Sequence, residues 1–295
     1  MNSDKHRQNT LHLQAPAKIN LVLRVLSQRN DGYHELETWM QKINLSDLLT
    51  VEILDSPGIE LNCSGADLPT DESNLVWRAA SVFFNKSRRA KGKGVVVSLH
   101  KNIPVSAGLG GGSSDAGTLL KGLNDYFEEE FTTAELIDMG KSLGADVPFF
   151  VVHHPSVLAT GIGEKMLPVS PLSNCTFILV NPGISVSTAE IFQKFALTRV
   201  DKNSTLTGFR KTHPEDLTLS ALENDLEQVT IELFPVVEDI KEKLKSAGAD
   251  AVLMSGSGPT VFGVFADSSP HGENNLADTV AQLRQQYGDK VYIAD

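Results

Sequence analysis

The chain has 295 residues, of which 41% are hydrophobic and 21% are charged. These proportions are typical of soluble globular proteins, and a chain of this length can bury a full core, which argues against a disordered protein. The net charge of −11 would repel nucleic-acid phosphates, so we expect no nucleic-acid partner. The apolar runs are too short to cross a bilayer and the polar first ten residues do not resemble a signal peptide. We therefore expect no membrane association and a cytoplasmic location.

Residues 11–54 have a largely β pattern, with alternation over 19–26, which predicts strands over 11–54 with a turn at Asn30-Asp31-Gly32. Further along, stretches with helical spacing are interspersed with short β-branched runs. The predicted helices are 74–86, 113–123, a helix from the Thr132 capping box to Gly144, 189–195, 235–247 and 275–287. The predicted strands are 94–100, 157–160, 177–180, 251–255, 260–265 and 290–294.

Strands and helices come in blocks rather than in strict alternation. This order predicts an α+β fold with mostly antiparallel sheets and helices packed on one face. Glycines and prolines cluster between residues 161 and 171, which indicates a domain boundary there. We expect a disordered tail over 1–10, a first domain over 11–163 and a second over 164–295.

The two cysteines, Cys63 and Cys175, have no neighbouring cysteine at metal-binding spacing. A disulfide between them is an alternative, but two buried free thiols fit a reducing compartment better. We therefore expect no metal ion bound by protein side chains.

A glycine-rich loop between a predicted strand and a predicted helix is the most informative feature. Its residues are Pro104, Val105, Ser106, Ala107, Gly108, Leu109, Gly110, Gly111, Gly112, Ser113 and Ser114. Glycines let backbone N–H groups approach an anion, and a helix N-terminus adds unpaired donors and a positive dipole end. The pattern therefore favours phosphate binding over an ordinary turn. It lacks the lysine of a Walker A loop and the last small residue of a dinucleotide-binding loop.

Three segments in order resemble the motifs of the GHMP kinases, the superfamily of galactokinase, homoserine kinase, mevalonate kinase and phosphomevalonate kinase. They are 15–21 (APAKINL), the glycine-rich loop itself, and 254–260 (MSGSGPT). The resemblance implies a two-domain GHMP kinase fold with an N-terminal ATP-binding domain over 11–163 and a C-terminal GHMP kinase domain over 164–295. The third motif could either line the substrate phosphates or brace the glycine-rich loop.

Two further segments, 31–36 (DGYHEL) and 144–150 (GADVPFF), resemble one branch of that superfamily. Members of this branch transfer the γ-phosphoryl group of ATP, with Mg²⁺, to the 2-hydroxyl of a cytidine-diphosphate-linked sugar alcohol in the non-mevalonate isoprenoid pathway. Gly117 departs from the branch, where many members carry alanine, and glycine is expected to weaken the helix start slightly.

The resemblance assigns roles to individual residues. Asp146 is the expected catalytic carboxylate, as a base or an orienting group, although an aspartate in such a segment is more often a cap. Lys18 is expected to hold that carboxylate ionised, although a strand lysine usually points to solvent. The other expected contacts are to the cytidine end (Tyr33, His34 and Phe192), to the rest of the substrate (Asn20 and Thr188) and to ATP (Asn74, Leu75, Lys101 and the glycine-rich loop).

Three alternatives stay open. Another GHMP kinase would act on a mevalonate derivative or on homoserine. A non-catalytic protein could keep the fold for binding, and a nicotinamide-dependent enzyme would use the glycine-rich loop for a dinucleotide. The sequence leaves monomer and homodimer equally open.

Overall fold

A computed structural model describes residues 9–29, 32, 34–200, 213, 217–268 and 276–295, without the side chains of 198–200. Most of the predicted tail and Tyr33 lie outside the described residues. The backbone forms two compact units. Unit 1 comprises Met1–Pro16, Ser46–Ile103 and Gly111–His153, and unit 2 comprises Ala17–Leu45, Pro104–Gly110 and His154–Asp295, in both cases without the undescribed residues. These units are discontinuous in sequence, and the domain boundary between residues 163 and 164 stays a prediction.

The described strands and helices follow one another in blocks. The strands are β1 (Thr10–Gln28), β2 (His34–Leu54), β3 (Ile59–Ser64), β4 (Gly94–His100), β5 (Ser156–Gly161), β6 (Lys165–Pro168), β7 (Cys175–Val180), β8 (Glu223–Asn224), β9 (Ala251–Met254), β10 (Val261–Ala266) and β11 (Val291–Ala294). The helices are α1 (Leu75–Lys86), α2 (Gly111–Tyr126), α3 (Thr133–Lys141), α4 (Val147–Val151), α5 (Thr188–Val200), α6 (Glu227–Leu233), α7 (Val236–Ser246) and α8 (Leu276–Tyr287). None of these helices combines the length and the apolar character needed to cross a membrane.

Unit 1 packs four helices against a small sheet. Strand β4 pairs antiparallel with the second half of β2 and parallel with β3. Apolar residues at helical spacing on α1 and α2, such as Phe83 and Leu119, share one buried cluster with strand residues such as Val97. Burial of such side chains is the main stabilising contribution, at about 25 cal/mol per Å² of apolar surface.

Unit 2 contains a four-stranded antiparallel sheet in the order β11-β7-β10-β9. Helices α7 and α8 bury Ile240, Leu244 and Leu283 against residues of that sheet such as Ile178 and Val261. The first half of β2 pairs antiparallel with β5, and β1 pairs parallel with the short β8. Residues of β1 therefore lie beside a segment some 200 positions later in the chain.

The α+β class with mostly antiparallel pairing is confirmed, and β1–β8 and β3–β4 are parallel pairs. Several details were wrong. Helix α2 begins at Gly111 rather than at residue 113, and α3 ends at Lys141 rather than at Gly144, whose N–H instead bonds the carbonyl of Gly140 at 3.1 Å. The two cysteines are free as expected, but both are only half-buried.

Candidate functional site

The glycine-rich loop turns through three residues with left-handed backbone. Ser106, Gly108 and Gly110 have φ values of 54°, 75° and 69°. Such alternation directs successive N–H groups toward one side, which creates an anion-binding concavity. Within the described residues, no hydrogen bond of the protein engages the N–H groups of 105–110. These donors are therefore available to a ligand.

The turn between β9 and β10 braces this loop within unit 2. The Ser255 hydroxyl donates to the carbonyl of Gly108 at 3.0 Å and accepts from the N–H of Asn20 at 3.3 Å. The N–H of Lys18 donates to the carbonyl of Leu109 at 2.9 Å. A Cβ atom on Gly108 would lie 2.1 Å from the carbonyl oxygen of Ser255, so only glycine fits there. Of the two expectations for the third motif, this geometry favours bracing.

Lys18 and Asn20 lie side by side on β1 in unit 2 and are 4% and 3% exposed. The ammonium of Lys18 donates to Oδ1 of Asn20. Nδ2 of Asn20 donates to the hydroxyl of Thr38 at 2.8 Å, and that hydroxyl donates to the carbonyl of Val22 at 2.7 Å. The usual solvent-facing position of a strand lysine therefore does not apply to Lys18.

The first turn of α2, in unit 1, presents a helix N-terminus with no acidic residue. The Ser114 hydroxyl is fully buried and donates to the carbonyl of Pro16 at 2.6 Å. The Ser113 side chain is partly exposed. Because unpaired N–H groups and the helix dipole favour a negative charge, this turn can bind a phosphate.

Asp146 occupies the N-cap position of α4, but its carboxylate makes no capping hydrogen bond. The alternative of a simple cap is therefore not supported. Helix α4 is buried and packs closely on α2, because a Cβ atom on Gly117 would lie 2.7 Å from Cβ of Phe150 and 2.9 Å from the carbonyl oxygen of Val147. Gly117 was expected to weaken the start of α2 slightly. In the structure, its lack of a side chain allows α2 and α4 to pack in close contact.

Lys101 belongs to a buried ionic cluster in unit 1. Its ammonium donates to Asp47 and, at 2.7 Å, to Oδ2 of Asp115, and all three side chains are at most 3% exposed. Asp47 also accepts the N–H groups of Asn102 and Ile103 at 2.6 and 2.8 Å. Burial raises the pKa of Asp115 to about 7, against the opposing effect of Lys101. No spacing pattern in the sequence indicates this cluster.

Asn74 and Leu75 lie at the start of α1. The Asn74 side chain accepts the N–H of Val76 at 2.9 Å and donates to the carbonyl of Pro69 at 2.8 Å, so it caps the helix. Leu75 packs against the core of unit 1, and a Cβ atom on Gly112 would be 3.8 Å from its Cδ1. The structure thus brings Leu75 next to the start of α2.

His34 and Phe192 form a stacked pair in unit 2, with ring centroids 4.9 Å apart and an interplanar angle of 29°. Within the described residues, Nε2 of His34 is buried and has no hydrogen-bond partner. Burial lowers the pKa of His34, which favours the neutral ring. One helical turn before Phe192, the Thr188 hydroxyl lies 2.8 Å from that of Ser257.

The predicted residues therefore fall into separate groups. Unit 2 brings together Lys18 and Asn20 with the braced loop, and it pairs His34 with Phe192. Unit 1 holds Leu75, Lys101, Ser113 and Asp146 around its own helix termini and buried charges. Sequence reasoning missed Thr38, Asp47 and Asp115. Each is a single buried polar residue, and its role emerges only from its contacts.

Comparisons with known proteins show the family to which the chain belongs. The family description "GHMP kinases N terminal domain" matches residues 74–154, and "GHMP kinases C terminal" matches residues 208–286. A 4-diphosphocytidyl-2-C-methyl-D-erythritol kinase from Desulfotalea psychrophila (strain LSv54 / DSM 12343) is 48% identical over 282 residues, 96% of this chain and 94% of the relative. A protein of the same name from Syntrophotalea carbinolica (strain DSM 2380 / NBRC 103641 / GraBd1) is 47% identical over 86% of this chain and 89% of its own length.

Solved structures share the fold. A crystal structure of 4-(cytidine 5'-diphospho)-2C-methyl-D-erythritol kinase superposes with a TM-score of 0.77 at 32% identity, covering 96% of this chain and 98% of that chain. A homoserine kinase from Cytophaga hutchinsonii ATCC 33406 superposes with a TM-score of 0.71 over 100% of this chain and 97% of its own. The two sequences are only 17% identical, so this similarity is evidence for the fold alone.

Proposed function

The chain belongs to the GHMP kinase family, and we propose that it transfers the γ-phosphoryl group of ATP to the 2-hydroxyl of 4-diphosphocytidyl-2-C-methyl-D-erythritol. This step belongs to the non-mevalonate pathway of isoprenoid synthesis. The relatives that bear this name are 42–48% identical to the chain over most of its length, which supports this substrate over the mevalonate and homoserine alternatives.

The stacked pair His34–Phe192, in which Nε2 of His34 has no hydrogen-bond partner among the described residues, carries the proposal at the level of the site. A cytosine ring presents a flat face and a polar edge. An aromatic side chain can stack on that face, and a neutral imidazole can donate or accept one hydrogen bond at that edge. A buried ring nitrogen without a partner loses stability in the free protein, and a bound base would supply the missing bond. Tyr33 is the expected third member of this group.

The glycine-rich loop and the start of α2 are suited to the triphosphate of ATP. Available N–H groups over 105–110 and the first turn of α2 offer donors to phosphate oxygens. Ser113 is the better hydroxyl for a phosphate or a Mg²⁺ ion, since Ser114 already donates to Pro16. ATP supplies the transferable phosphoryl group, and Mg²⁺ commonly reaches such sites through phosphate oxygens.

Asp146 and Lys18 are the groups that we assign to the transfer step. A carboxylate not used as a cap can accept or orient the proton of the attacking hydroxyl. The buried ammonium of Lys18 can keep that carboxylate ionised and stabilise negative charge on the transferring group. Asn20 holds the ammonium in place, and Thr188 is a candidate contact to the sugar alcohol.

The decisive experiment measures ATP consumption by the purified protein with 4-diphosphocytidyl-2-C-methyl-D-erythritol, mevalonate or homoserine. Turnover should require the cytidine compound. Asp146→Ala should lower kcat by about 10²–10⁴-fold while leaving ATP affinity nearly unchanged. Turnover with mevalonate or homoserine, and none with the cytidine compound, would show that the proposed substrate is wrong. No turnover with any of the three alcohols would favour a non-catalytic binding protein.

A second variant tests the base contact separately. Phe192→Ala should raise KM for the cytidine substrate about tenfold, because stacking on a base contributes roughly 1–3 kcal/mol. KM for ATP should stay the same and serves as the internal control. An unchanged KM for the cytidine substrate would remove Phe192 from the site.

A further inference from the structure

The hydroxyl of Thr38 is the last donor in a chain of hydrogen bonds in unit 2 that runs from Lys18 through Asn20 to the carbonyl of Val22. Thr38 is 3% exposed and lies on β2, with its side chain between Asn20 and the backbone of β1. A hydroxyl has a single hydrogen to donate. The carbonyl of Val22 can only accept, so the bond of 2.7 Å to that carbonyl uses the hydrogen of Thr38.

This arrangement leaves the Thr38 oxygen only as an acceptor. Its neighbour in Asn20 must therefore be the donor Nδ2, which lies 2.8 Å away. With Nδ2 fixed there, Oδ1 faces the ammonium of Lys18, where an acceptor is required. The reversed amide would set Oδ1 against an oxygen without a free hydrogen and Nδ2 against an ammonium. Both contacts would be repulsive, so one orientation satisfies every group.

We propose that Thr38 is a positioning residue for phosphoryl transfer, which acts by fixing the Asn20 amide so that Oδ1 holds the Lys18 ammonium. The inference rests on the proposed function, because it needs Lys18 to act in the transfer step. Thr38 itself touches no reacting atom in this scheme. Its contribution is to hold a charged donor in one direction, so its loss affects the rate more than substrate binding.

Two substitutions separate the hydroxyl from the shape of the side chain. Thr38→Val keeps the shape and removes the hydroxyl, whereas Thr38→Ser keeps the hydroxyl and removes a methyl group. Thr38→Val should lower kcat about tenfold or more, since it leaves buried partners unpaired, and KM for ATP should change less than about twofold. Thr38→Ser should keep kcat within about twofold of the wild type. Equal losses in both variants would show a packing role and overturn the proposal.

A double-mutant cycle tests the route through Asn20. In an Asn20→Ala background, Thr38→Val should lower kcat no further, because the amide that it orients is already gone. A further tenfold loss would mean that Thr38 acts independently of Asn20, which contradicts the proposal.

A measurement on the wild-type protein covers the case in which Thr38→Val fails to fold. The side-chain amide protons of Asn20 should exchange slowly with solvent in NMR spectra, because Nδ2 is held in a buried hydrogen bond. Exchange as fast as that of an exposed asparagine would overturn the proposal. This readout is independent of the reaction, so it tests the orientation of the Asn20 amide separately from the turnover assay that tests the proposed function.

Discussion

Two buried networks, one in each unit, hold a lysine by different means. In unit 1, Lys101 lies between the carboxylates of Asp47 and Asp115. In unit 2, Lys18 donates to the neutral amide of Asn20, which is bonded in turn to Thr38. An ionic cluster depends on charge balance and responds to pH, whereas a chain of amide and hydroxyl groups mainly fixes direction.

The contacts around the glycine-rich loop also differ between the two units. Asp47 accepts the N–H groups of Asn102 and Ile103 just before the loop, and Asp115 lies just after it, as the fifth residue of α2. The loop itself is held in unit 2 by Ser255 and the N–H of Lys18. Charge should therefore control the stability of the flanking segments, and close backbone contact should control the shape of the loop.

Removal of the central cation should have the largest effect. Lys101→Met keeps most of the side-chain volume but leaves two buried carboxylates without a counter-ion. We expect a loss of about 3–5 kcal/mol in the free energy of unfolding, measured by chemical denaturation at pH 8. Asp115 would relieve part of this cost by taking up a proton.

The matched control for this prediction neutralises the whole cluster. The variant Asp47→Asn/Lys101→Met/Asp115→Asn has no buried charge and should recover a substantial part of the lost stability. A single Lys101→Met variant as stable as the wild type would contradict the ionic description of this network.

A pair of glycine substitutions tests the close contact around the loop. Gly108 has a φ of +75°, and Gly108→Ala adds a Cβ atom 2.1 Å from the carbonyl oxygen of Ser255. We expect this variant to lose about 2–3 kcal/mol in the free energy of unfolding. Gly112→Ala adds a Cβ atom whose nearest neighbour is Leu75 Cδ1 at 3.8 Å, so it should change stability by less than about 1 kcal/mol. Thermal unfolding measures the stability of both variants. Equal losses of stability in Gly108→Ala and Gly112→Ala would show that the bracing contact is unimportant.

The sequence predicted the regular parts of the fold because their periodicity is strong. Strand β4 was predicted with its observed bounds, and the Thr132 capping box is present as expected. Helix α4 was missed because its five residues are all buried and apolar, so they show no helical period. Strand β3 and helix α6 were missed as well, and both are short.

The sequence predicted the site where a motif concentrates several residues, as in the glycine-rich loop. It could not indicate Thr38 or Asp47, because a lone polar residue in a strand has no recognisable spacing. Such residues acquire their roles from partners distant in the chain, as Asp47 does from Lys101. Gly117 is a different case. Its low helix propensity predicts a weaker start of α2, whereas its close contacts with α4 require a glycine.

The smallest expected effect is a change in pH dependence at Asp115. The pKa of its carboxyl is raised from 3.8 to about 7 in the folded protein, mainly by burial. Between about pH 4 and pH 7 the folded protein therefore holds a proton that the unfolded chain has released. This group favours the folded state fully below pH 4, and its contribution is lost as the pH rises toward 7.

Asp115→Asn removes this titration and replaces the carboxylate, whose buried Oδ1 has no hydrogen-bond partner in the described part of the chain, with a neutral amide. Relative to the wild type, the variant should gain stability as the pH is raised from 5 to 8, and the difference should level off above the folded pKa of about 7. Melting temperatures of both proteins across that range provide the measurement, with Asp125→Asn on the exposed end of α2 as the control. A constant difference between wild type and Asp115→Asn from pH 5 to pH 8 would mean that Asp115 stays ionised beside Lys101. The two networks would then differ in charge but not in their response to pH.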